Sequence, residues 1–125
     1  MELYMEEKLM SKLPNPTMEQ CVRLAHFLHV EDIISRPRHG KKQFIDWCLG
    51  KTGYLTITNR VLRDNSSITL KHETDAEGKD RFVCFIYYPP DDVTICKLGS
   101  TVSRATLYAT FKYVDMVYLK QEGAE

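Results

Sequence analysis

The sequence predicts an α+β fold: N-terminal helices, a two- or three-stranded antiparallel meander, and a long C-terminal helix packed on the sheet. Three observations carry this. Apolar residues after Thr17 recur at helical spacing behind a capping box. Two runs rich in β-branched and aromatic residues, 67–74 and 81–88, flank a polar connection that contains Gly78. The segment 101–119 is then apolar at intervals of three and four residues, with no proline or glycine before Gly123. No internal repeat is present, which excludes a solenoid or propeller.

Taken in order, residues 1–13 form an arm in which Leu3, Met10 and Leu13 share one helical face, and Pro14-Asn15-Pro16 stops it. A single domain is expected from 17 to 120. Thr17 is an N-cap with Gln20 three residues on, and Cys21, Leu24, Ala25 and Leu28 line one face of a helix from Met18 to about His29. Arg36-Pro37 forbids its continuation, because a residue before proline is driven to extended geometry. Phe44, Ile45, Trp47, Cys48 and Leu49 then make a short helix that ends at Gly50, with Phe44 and Trp47 expected in the core. The stretch 54–63 is ambiguous. Tyr54 to Thr58 alternates as a strand does, whereas Ile57, Val61 and Leu62 share a helical face, and the helix is the preferred reading. Pro89-Pro90 breaks the second strand, and Val93 to Lys97 supplies the third.

At 125 residues, 43% hydrophobic and 27% charged, the chain is long and apolar enough to bury a core without staples. No stretch approaches the roughly 20 apolar residues of a membrane span. Glu2, Glu6 and Glu7 contradict the cationic start of a signal peptide, so the expected compartment is the cytoplasm. Cys21, Cys48, Cys84 and Cys96 stand singly among mostly apolar neighbours and read as buried free thiols rather than a disulfide framework or a zinc site.

The zero net charge hides an uneven distribution. Residues 1–35 carry three basic and six acidic side chains, 36–63 seven and one, and 64–125 seven and ten, giving −3, +6 and −3. The middle stretch opens with a basic loop in which Arg36, Arg38, His39, Lys41 and Lys42 are candidate ligands for an anion or a nucleic acid. Against nucleic acid stand the overall pI of about 6.9 and the absence of obvious exposed aromatics for base stacking. Solvation of the loop, or pairing with Glu6, Glu7, Glu31 and Asp32, explains it equally well.

Catalytic signatures are thin. There is no nucleophile elbow, Walker loop or dinucleotide fingerprint. His26 and His29, three apart on a helix, have the spacing of two metal ligands but no third, and Asp91-Asp92 lacks further oxygen donors. His72 reads as a solvent-facing strand residue. No catalytic residue, metal or cofactor is expected.

The run from about Gly53 to Leu119 pairs a hairpin ending in Phe85-Ile86-Tyr87-Tyr88-Pro89-Pro90-Asp91-Asp92 with a third strand. Ser100-Thr101-Val102-Ser103-Arg104-Ala105 then opens a last helix. In this it resembles the small phage and prophage proteins of the ABA-sandwich type, over little more than half the chain. That family's usual proline before the final helix and its alanine-rich helix are replaced by Val102 and aromatic residues. The resemblance implies a small phage-encoded protein and supplies no catalytic residues.

The last helix is apolar over more of its circumference than one sheet contact needs, with Tyr113, Met116, Val117 and Leu119 outside the main stripe. These four are the expected partner interface, for a second protein or a homodimer, unless the 1–13 arm covers them. The functional expectation is therefore a non-catalytic interaction protein that uses the last helix and sheet edge. A nucleic-acid-binding accessory protein using the 36–42 loop is the alternative, and a phosphoester or nucleotide enzyme the second alternative.

Overall fold

The computed structural model describes residues 16–34 and 40–118. The 1–13 arm, Arg36, Arg38, His39 and Leu119 lie outside the described residues. The capping box forms as the sequence predicts: Gln20 N donates to Thr17 Oγ1 at 3.1 Å and Thr17 N donates to Gln20 Oε1 at 3.0 Å. It opens α1 (Met18–Leu28), which buries Cys21, Leu24, Ala25, Phe27 and Leu28 and ends at His29 in the left-handed region, φ 61°. A short α2 (Glu31–Ile34) follows.

The next helix, α3 (Gly40–Leu49), begins four residues before the apolar cluster that announces it. Lys41 and Lys42 therefore sit on its first turn instead of in a loop. Phe44 is fully buried, whereas Trp47 is half-buried, stacked on Phe44 with ring centroids 6.1 Å apart. The ambiguous stretch is helix, α4 (Lys51–Arg63). Ile57 and Val61 enter the core, but Leu62 stays 50% exposed, which separates it from the face assigned to it above. Gly53 allows α3 and α4 to meet: a Cβ there would lie 2.0 Å from the Trp47 carbonyl oxygen.

The meander has the order β1-β2-β3, with β1 (Ser67–Thr74), β2 (Asp80–Tyr88) and β3 (Val93–Gly99) antiparallel throughout. Pro89-Pro90 ends β2 in one 3-10 turn. Register pairs Ile86 with Ile68 and Ile95 on an inner face that also carries Phe82, Cys84 and Tyr88. Parity places Val83, Phe85 and Tyr87 on the outer face.

Thr101 caps the last helix, α5 (Val102–Tyr113), by accepting from Arg104 N at 3.1 Å, and a π turn (Val114–Tyr118) continues it. A Cβ on Gly99 would lie 2.4 Å from Ala105 N, so the end of β3 meets the first turn of α5 at backbone contact. The helix then runs back along β3 and β2 on the inner face, and its far side packs against α1, α3 and α4. One core results, centred on Leu24, Phe27, Phe44, Ile57, Ile86, Leu107 and Tyr113.

Candidate functional site

The double packing of α5 corrects the interface expected on it. Tyr113 is fully buried and Val117 is 4% exposed. The apolar excess that suggested a partner is consumed within the chain, because α5 lies between the sheet and the other helices and needs two apolar faces. Met116 alone of the described three remains exposed, at 40%.

What Tyr113 touches explains its type. It donates to Asp64 Oδ2 at 3.0 Å, and Ser66 Oγ lies 2.9 Å away as the donor left to it. Arg60 pairs with Asp64, donates to the Phe27 carbonyl at 3.2 Å and stands 4.1 Å over the Phe27 ring. Burial, opposed by the Ser66 hydrogen bond and aided by the Asp64 charge, pushes the Tyr113 phenol up to about 12. This network ties α4, α1 and α5 together and serves the fold.

Exposed Met116 points to the place where a ligand has room. Pinned together at Gly99 and Ala105, β3 and α5 leave a cleft of about 250 Å³ farther along, lined by Thr94, Ile95, Cys96 and Lys97 from the strand and Lys112 and Met116 from the helix and π turn. Ile95 is 4% exposed and makes an apolar floor, while each wall contributes one lysine. Among the described residues β3 pairs with β2, and its Thr94 to Lys97 run along this cleft. Two lysines and an apolar floor suit an acidic ligand with apolar groups.

The other candidates stand apart from it. Of the five basic-loop residues only Lys41 and Lys42 are described, the first half-buried and the second exposed. The Lys41 charge reaches Cys21, whose thiol burial nevertheless raises. Burial also raises Cys48, and raises Cys84 to about 11. These three thiols are buried as expected, and Cys96 is half-buried. His26 and His29 are exposed with ring centroids 6.5 Å apart, and His26 Nδ1 lies 3.2 Å from Glu31 Oε1. Among the described residues no three His, Cys, Asp or Glu side chains gather at metal-binding distance. His72 pairs with Asp80 at 2.8 Å on the surface. Asp92 accepts from the Tyr87 hydroxyl at 3.0 Å, which gives that turn a structural partner.

The strand edge and the last helix were both singled out by the sequence, but the cleft between them was not. Its lysines lie on separate elements 15 residues apart, with no motif to join them. Among the described residues no helix is long and apolar enough to cross a membrane. No protein-family model, no curated protein and no solved structure matches this chain.

Proposed function

We propose that the protein is a small non-catalytic interaction module that receives an acidic segment of a partner protein in the cleft between β3 and α5. The cleft between β3 and α5 carries this reading. In that cleft a peptide's apolar side chains would meet Ile95 and Met116, and its carboxylates would lie near the lysines of the two walls, Lys97 and Lys112. The apolar floor supplies affinity, and cations on both walls supply the selection and accelerate encounter. A phage-encoded adaptor, as the resemblance implies, is an economical setting for such a site.

The test is selection of peptides from a random 12-residue library on the full-length protein. Enriched peptides should combine apolar residues with Asp or Glu, and weaken about tenfold or more against Lys97→Glu/Lys112→Glu, as reversal of two charges at a partly desolvated contact demands. Enrichment of peptides that ignore both lysines, or no enrichment, would remove the proposal. The nucleic-acid reading rests on the +6 segment and is tested in parallel: binding to short duplexes should fall steeply with salt and vanish in Lys41→Glu/Lys42→Glu.

A further inference from the structure

Between Asp46 and Asp64 the chain holds no acidic residue, and α4 fills most of that interval. Its inner side, Gly53, Ile57 and Val61, is buried in the core. Its outer side is not an ordinary polar surface. Leu55 is 48% exposed and Leu62 50%, and a step of two helical turns puts them in one line roughly 10.5 Å apart. Thr58 stands between them, and its hydroxyl is spent on the Leu55 carbonyl at 3.2 Å. Thr56 bonds the Thr52 carbonyl at 2.8 Å in the same way. Both hydroxyls are thus turned to the helix's own backbone, and leucine is what the stripe offers a partner.

Cations stand at both ends of the stripe. Lys51 opens the helix and Arg63 closes it, and both are exposed. Arg63 suits a helix C-terminus, where the dipole favours positive charge. Lys51 does not suit the N-terminus: the first turn holds no acidic residue, and Gly50 supplies no side-chain cap. A cation there opposes the dipole and adds nothing to the isolated fold. Arg60 is occupied elsewhere, since it pairs with Asp64 beside Tyr113.

These charges decide which occupant fits. A second copy does not. Packed antiparallel through this face, it would bring Lys51 within a turn of the other copy's Arg63, and packed parallel it would set each cation against its own kind. A helix with two apolar residues seven apart and a carboxylate within a turn of each matches the leucines and the cations together.

We infer that the outer face of α4 docks an acidic amphipathic helix of a partner protein, with Leu55 and Leu62 as the apolar contact and Lys51 and Arg63 as its charged ends. The inference is independent of the cleft between β3 and α5.

The test is selection on the full-length protein from a displayed library of amphipathic helices, built on one helical framework with the apolar and charged positions randomised. Enriched helices should carry two apolar residues seven apart with Asp or Glu within a turn of each. Their affinity should fall about tenfold or more in Leu55→Ser/Leu62→Ser and in Lys51→Glu/Arg63→Glu, and hold in Lys97→Glu/Lys112→Glu. Enrichment of neutral or basic helices, or of none, would overturn the inference, as would loss only in the cleft variant. Self-association abolished by the leucine substitutions would assign the face to a second copy and equally overturn it. A benzophenone amino acid at exposed position 59, beside the stripe on a chain whose leucines are intact, should capture the enriched helix on irradiation. Absence of that adduct would count against the inference even if the leucine variant folds poorly.

Discussion

Replacing Tyr113 with Phe should destabilise the protein at pH 8 and matter far less at pH 11. At pH 8 the variant loses the hydrogen bonds to Asp64 and Ser66 and leaves both groups short of a partner beside a fully buried ring. About 1–2 kcal/mol follows. The native phenol titrates at about 12, chiefly because it is buried. In the unfolded chain a tyrosine titrates near 10, so between these values the unfolded state has released a proton that the native state still holds. The unfolded state then binds fewer protons, and stability falls as pH rises. The stabilisation is complete below pH 10 and gone above about 12; by pH 11 the loss is about 1.4 kcal/mol, from one decade of differential ionisation. The Tyr113→Phe variant, with no phenol to ionise, is spared that loss. Cys21, Cys48, Cys84 and Tyr87, all raised, weaken both proteins alike at high pH, so the difference between the two isolates Tyr113. Urea unfolding followed by Trp47 fluorescence at both pH values measures it. A gap between wild type and variant that stays constant from pH 8 to 11 would refute the buried Tyr113–Asp64–Ser66 network.

Two further substitutions probe the contacts that position the sheet edge and the helices. Gly53→Ala should cost about 1–3 kcal/mol by overpacking, despite alanine's better helix propensity, because its Cβ would stand 2.0 Å from the Trp47 carbonyl oxygen. A thermal melt by circular dichroism that shows equal or greater stability would mean that α3 and α4 cross farther apart. Thr101→Ala should cost about 1 kcal/mol by removing the cap on α5, while Thr101→Asp keeps most of it. Urea midpoints that do not separate the two variants would deny the cap its role.

Much of the fold is legible because its signals are local. Thr17 and Gln20 cap α1 across three residues, and Pro89-Pro90 ends β2 where it stands. The inner-face set Phe82, Cys84, Ile86 and Tyr88 follows from a period of two once the strand is recognised. Less was readable where one residue type serves two structures. Tyr54 to Thr58 alternates as a strand but is helical, because α4 must bury Ile57 and Val61 against a core that the local pattern does not contain. Lys41 and Lys42 join α3 on the strength of the apolar residues that follow them.

The sequence by itself determined the order of helices and strands, the caps and breaks between them, the α+β class, and the surplus of apolar surface on the last helix. Only the tertiary structure decided what that surplus meets. Tyr113 and Val117 face neighbouring helices of the same chain, and the candidate site arises instead where Lys97 on β3 and Lys112 on α5 are brought together by the backbone contact at Gly99 and Ala105. Periodicity records that a side chain is apolar and on which side of its element it lies. Hydrophobic burial is non-directional, so the pattern is the same whether the covering surface is a sheet, a helix of the same chain or another molecule.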